Sequence, residues 1–189
     1  MKRIFESRSF REFRNVRFDE SVRGTIVSSQ KTTVFLSHKH SDLEDMKDVI
    51  GFLQTTYGVL VYIDSNDSSM PMTTSGLTAE KLKNRIKKCD KFILLATDGA
   101  VDSKWCNWEL GFGDAHKYKD NIALFPIKPQ GSADTWYKGK EYMSIYPYIA
   151  EYDGTERYLD GTIIARGYYV CTEMEGERTI IPLLKWLKK

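Results

Sequence analysis

Three cysteines, three histidines and five prolines are all that 189 residues hold of those types. Cys89, Cys106 and Cys171 are odd in number and far apart. That spacing is neither a disulfide framework nor a zinc pattern, and it fits a reducing cytoplasm. His38, His40 and His116 have no metal-ligand company at a convincing spacing, so no metal is expected. Neither sign of charge is in excess: 28 basic against 26 acidic residues leave a net charge of +2, which makes no global case for nucleic acid. No apolar run approaches the length of a membrane span. The opening stretch, MKRIFESRSFREFRNVRFDE, is broken by acids every few residues and lacks the continuous apolar centre of a secretory signal. Phosphate cradles are missing as well. There is no G-x-x-x-x-G-K-S/T loop and no G-x-S-x-G elbow, and Gly111-Phe112-Gly113 lacks the third glycine of a dinucleotide fingerprint and falls inside a helical pattern.

What is present is enough for a well-filled core: 41% of residues are hydrophobic and 13% aromatic. The length suits one domain, or one domain with sizeable additions. Residues 1–31 are mildly basic, with Phe5, Phe10, Phe13 and Phe18 set among arginines, and are expected to be a solvated extension whose aromatics pack on the domain. Four apolar runs follow: Thr32–Ser37, Val59–Ile63, Lys91–Thr97 and Ile122–Ile127. Each is continuous rather than alternating, and helical patterns lie between them. That combination predicts a parallel sheet covered on both faces, with ligands bound outside the carboxyl ends of the strands. Ser41 with Glu44 predicts a capping box opening the first helix, which Gly58 stops. A second helix is expected over 78–90. Between strand two and that helix, Asp64 to Gly76 is too long for a minimal connection and is a functional candidate. After Pro129 come Trp136 and eight tyrosines. Ser144–Ala150 reads as a fifth strand at an edge because of Pro147, Arg166–Thr172 as a further strand, and Thr179–Lys189 as an amphipathic helix with Ile180, Leu183, Leu184 and Leu187 inward.

The stretch from Asp98 to His116, DGAVDSKWCNWELGFGDAH, stands out. Ser103 is a good N-cap, and Val101, Trp105, Trp108 and Phe112 recur at helical spacing as one apolar face. Glu109 sits one turn after Trp105 and directly beside Trp108. A carboxylate among tryptophans costs stability unless it has partners or points to solvent.

Val34-Phe35-Leu36-Ser37-His38-Lys39-His40-Ser41-Asp42 resembles the first conserved box of Toll/interleukin-1 receptor (TIR) domains, and the loop from Asp64 resembles their BB loop. Ser103-Lys104-Trp105-Cys106-Asn107-Trp108-Glu109 is similar to the S-x-W-C-x-x-E segment of TIR domains that cleave NAD+. The resemblance implies a flavodoxin-like α/β fold with a central five-stranded parallel sheet. It places a TIR domain at 32–150 between the basic arm and a C-terminal extension, 151–189, that ends in a helix packed on the domain. It implies that Glu109 is the catalytic carboxylate. Phe35, Ser37, His38, Asp67 and Trp105 are then the candidate substrate-binding residues. NAD+ would be substrate, with no separate cofactor. One carboxylate suffices for that chemistry, because nicotinamide departs neutral and needs no general acid, while the carboxylate faces an oxocarbenium-like centre.

The layout also resembles bacterial TIR proteins of antiphage systems such as Thoeris. The partners so implied are further copies of the chain through TIR–TIR contacts and a downstream effector that senses the nucleotide product, with neither nucleic acid nor membrane. A non-enzymatic TIR scaffold is the rival, and a pure adaptor has no physical reason to keep the Trp105-to-Glu109 segment. A nucleoside-processing transferase is a third reading, but no second acid is suitably placed to be its nucleophile.

Overall fold

Strands that are apolar at every position must be covered on both sides, and the molecule is layered accordingly. The computed structural model describes residues 2–14, 31–64, 76–117, 119–135, 141–174 and 176–188. Its strands are β1 (Phe5–Glu6), β2 (Thr33–Ser37), β3 (Leu60–Tyr62), β4 (Lys91–Ala96), β5 (Ile122–Lys128), β6 (Tyr148–Tyr152), β7 (Gly167–Met174) and β8 (Glu177–Pro182). Its helices are α1 (Leu43–Tyr57), α2 (Gly76–Lys88), α3 (Asp98–Val101), α4 (Lys104–Lys117) and α5 (Leu183–Lys188). The sheet runs β3-β2-β4-β5-β6-β7-β8. From β3 to β6 all neighbours are parallel, which is the expected five-stranded parallel unit. The sheet is larger than that unit. β7 and β8 add an antiparallel hairpin beyond β6, and β1 pairs with the end of β5.

Alternation along each strand divides the core. Phe35, Phe92, Leu94 and Leu124 face α2 and α4, while Val34, Leu36, Ile93 and Leu95 face α1 and α5. Residues 2–14 straddle the sheet edge: Ile4 joins the first face, and Phe5 and Phe10 join the second. Phe5 and Phe10 are buried against Phe125, and Phe10 against Phe52 of α1. The approach is close: a Cβ on Gly51 would lie 2.1 Å from the carbonyl oxygen of Phe13, so only glycine fits there. Arg14 then grips the buried Asp48 with two bonds of 2.6 and 3.0 Å.

Several local expectations are corrected. α1 is capped by Asp42 without a side-chain bond, because the Asp42 carboxylate is taken by the Thr97 hydroxyl, and Ser41 Oγ donates to Asp42 instead of accepting from a helix amide. The fifth strand is interior. Pro147 precedes it, where no N–H is needed, and its carbonyl accepts from Leu124 at 2.8 Å. Thr179–Pro182 is strand rather than helix, since β8 completes a hairpin with β7; in the short α5 that follows, Trp186 is buried and Leu184 exposed. Tyr146, Tyr148, Tyr152 and Tyr169 lie in the core, and the β7–β8 hairpin extends the sheet sideways. No helix among the described residues is long and apolar enough to cross a membrane.

Candidate active site

Strand β4 ends in Thr97, whose hydroxyl accepts from the Ala100 amide and starts the single turn of α3. Ser103 then caps α4, its Oγ accepting from the Cys106 amide at 3.3 Å. The expected apolar face is therefore split: Val101 ends α3 and the tryptophans begin a separate helix. That helix is also rotated from the expected setting. Cys106, Glu109, Leu110, Gly113 and Lys117 are its buried side, and Trp105, Trp108 and Phe112 are only half-buried. The reason is size. A Cβ on Gly113 would sit 3.1 Å from the Phe92 ring, so the helix approaches the sheet along its small residues and turns its rings outward.

This rotation buries Glu109 to 2% exposure. Phe35 and Ser37 share a face of β2, two residues apart, and both point under α4. Phe35 stacks on Phe92 at 5.5 Å and packs at a tilt against Tyr62 at the same distance, forming a floor. Above it, Ser37 Oγ donates to Glu109 Oε2 at 2.5 Å. Burial pushes the Glu109 carboxyl up to about 8, and the charge of Asp64 at the end of β3 pushes the same way; Ser37 and, after it, Trp105 favour the ionised form. The neutral acid therefore prevails at pH 7.

His38 lies beside this pair with its side chain 1% exposed. Its Nδ1 is 3.4 Å from the Leu36 carbonyl and 4.0 Å from Asp64, both longer than a good hydrogen bond. Its Nε2 is buried and has no partner among the described residues. Burial lowers its pKa, so the ring is neutral at pH 7. A buried polar atom left open beside a poorly satisfied carboxyl is unusual in a core and suits a site that a ligand completes.

Glu109, Ser37, His38 and Trp105 are thus brought together at the carboxyl rim, with Phe35 one layer below. Asp67 lies outside the described residues. Asp64 was legible only as the first residue of the long loop, and its effect on Glu109 needed the β2–β3 register to be seen. Trp105 also begins a row of rings. It stacks on Trp108 at 5.0 Å, Trp108 on Phe112 at 6.0 Å and Phe112 on His116 at 4.1 Å.

Comparison with known proteins agrees with this geometry. Over 120 residues the chain is 31% identical to the probable 3' cyclic ADP-D-ribose synthase ThsB' of Bacillus cereus (strain MSX-D12), an alignment that covers 62% of this chain and 60% of that protein. The match therefore spans about three fifths of that relative's length. A family model described as TIR domain matches residues 34–157, which include all four parallel strands after β3's partner β2 and the whole of α4. The chain belongs to the TIR domain family.

Proposed function

We propose that this chain cleaves the nicotinamide–ribose bond of NAD+ and closes the remaining ADP-ribosyl unit into a cyclic signal in bacterial antiphage defence. The observation that carries the reading is Glu109, a carboxyl buried at the carboxyl rim and held by one serine hydroxyl. The glycosidic bond breaks with its electron pair going to the ring nitrogen, so nicotinamide leaves neutral and the ribose carbon is left cationic. A carboxylate facing that carbon in a dry site stabilises the charge as it develops. The bound pyridinium carries a positive charge, which favours loss of the Glu109 proton when substrate arrives. A nucleophile of the same molecule then bonds to the carbon and gives up its proton, and a carboxylate with a pKa near 8 suits that transfer. Internal capture wins over water when the site holds both ends of the substrate together. The name of the Bacillus cereus relative supports a cyclic product.

Phe35, Ser37, His38 and Trp105 are assigned to substrate binding, with Asp67 on the loop beyond. The open Nε2 of His38 is a natural partner for a substrate amide or hydroxyl. Three buried free thiols suit action in the cytoplasm. The product would reach a downstream effector, and activity would depend on TIR–TIR contacts between copies. Incubation with NAD+ tests the reading: nicotinamide should appear together with an isomer one water lighter than ADP-ribose by mass spectrometry. No nicotinamide at any protein concentration would refute the activity, and ADP-ribose alone would refute the cyclisation.

A further inference from the structure

Between β6 and β7 the chain makes an excursion, 153–166, that packing does not explain. It is held rigidly. Arg157 and Ile163 form an antiparallel bridge, Tyr158 N–H donates to Thr162 O at 2.8 Å, and Ile164 N–H donates to Glu156 O at 2.8 Å. Gly161 turns the tip at a φ of +85°, and Asp160 accepts from the Thr162 amide at 2.9 Å. Ile164 anchors the base in the core at 5% exposure. What this scaffold presents is apolar. Leu159 is 110% exposed, Ile163 52% and Tyr158 42%. Single exposed apolar residues are ordinary, but three on one braced tip are not. Asp160 is adjacent, and the Thr162 amide and hydroxyl hold its carboxyl below the usual range, so the tip carries a fixed negative charge.

The opposite chemistry lies on α2 and α4. Trp105, Trp108 and Phe112 form the half-exposed ring row, and α2 lines it with cations. Lys83 Nζ is 5.8 Å from the Trp108 ring and 5.6 Å from the Phe112 ring, and Lys87 Nζ is 5.7 Å from Phe112. Rings with a lysine border take an apolar side chain flanked by a carboxylate. Within one copy Leu159 is fully exposed at the tip, and the rings lie on α4, on one face of the sheet.

We propose that the 158–160 tip of one copy docks on the Trp105–Phe112 row of a second copy, Leu159 against the rings and Asp160 beside Lys83 or Lys87. Knob and socket are different patches of one chain, so the contact is head-to-tail and generates rows of molecules instead of closed pairs. Trp105 is both the first ring of the row and a neighbour of Glu109, so an arriving copy reaches the edge of the candidate site. The inference rests on the self-association proposed above and adds the surfaces that make it.

All three native cysteines are buried, so an introduced thiol can be addressed alone. Chains carrying Leu159→Cys are mixed with chains carrying Lys83→Cys and treated with a short bismaleimide, while sedimentation velocity follows Leu159→Asp. The mixture should give cross-linked dimers and each variant alone should not, and Leu159→Asp should weaken self-association by about tenfold or more. Equal cross-linking of Leu159→Cys with itself would mean a symmetric tip-to-tip contact and overturn the proposal. Wild-type self-association by Leu159→Asp would overturn it too, while leaving assembly through another surface. A wild-type chain that stays monomeric throughout would overturn both assembly readings. NAD+ cleavage, measured on the same samples, reports on the catalytic reading separately.

Discussion

The two ends of the sheet bury ionisable groups in opposite styles. At the amino end, Lys91 and Lys117 are cations that the fold has fully provided for. Lys91 Nζ donates to Asn121 Oδ1 at 2.6 Å and lies 4.7 Å from the Trp186 ring. Lys117 reaches back from the last turn of α4 to the carbonyls of Lys87, at 2.8 Å, and Cys89, covering acceptors that α2 leaves open at its end. At the carboxyl end, the Ser37 hydroxyl and the Trp105 side chain hold Glu109, and among the described residues His38 Nε2 has no partner. Burial disfavours charge at both ends, holding the Lys117 pKa down and the Glu109 pKa up, but the amino end supplies its cations with acceptors from within the chain. An under-satisfied polar cluster is retained where something else is to complete it; a satisfied one is retained for the fold.

The largest test of that contrast is Glu109→Gln. Loss of the carboxylate should reduce nicotinamide release by at least about a hundredfold, as for other groups that face developing charge. The same change should stabilise the protein at high pH. The folded-state pKa of Glu109 is about 8 against an ordinary 4.5, so the folded form holds the proton more tightly and wild-type stability falls as pH rises between those values. Above about pH 8 the variant should be ahead by a few kcal/mol, order of magnitude. Thermal melts from pH 5 to 9 check this; parallel wild-type and variant curves would show that Glu109 is ionised throughout. Lys117→Met should do the reverse. Two carbonyls lose their donor, at a cost of about 1–3 kcal/mol, while NAD+ cleavage per folded molecule is unchanged. A variant as stable as wild type would make the amino-end cluster dispensable. The smallest effect is expected of Ser37→Ala. Its hydroxyl favours the ionised Glu109, so removing it should move the rise of kcat/KM with pH, near 8 in wild type, upward by less than about one unit. Superimposable profiles would show that Ser37 does not set the ionisation of Glu109.

The order of strands from β2 through β5 was legible because both-face burial writes continuous apolar runs, and Glu109, Ser37 and Trp105 were singled out from motif; β1 was not foreseen in the N-terminal arm. The rotation of α4 was not. Its rings have helical periodicity, yet Gly113, which carries no hydrophobic signal, decides which side meets Phe92. The capping box failed for a related reason: Asp42 is bound by Thr97, fifty-five residues away, and local rules do not see such partners. The hairpin of β7 and β8 was half-read because the pattern Ile180, Leu183, Leu187 suits a helix as well as a strand followed by a turn of helix. Pro147 looked like an edge signal and proved to be a boundary.

The N-terminal segment has a consequence for how the molecule assembles in time. Lys2 Nζ donates to Tyr148 and Glu173, residues 146 and 171 positions away, and Arg3 exchanges backbone bonds with Glu151. These partners are made well over a hundred residues later in synthesis. Phe5 and Phe10 wait for Phe125, so long loops must close before the segment settles. Residues 2–14 act as a latch fastened late: the parallel strands can pair as they emerge, the segment's rings pack once β5 is made and its polar ties form once β7 is made, and contacts of such sequence separation slow folding.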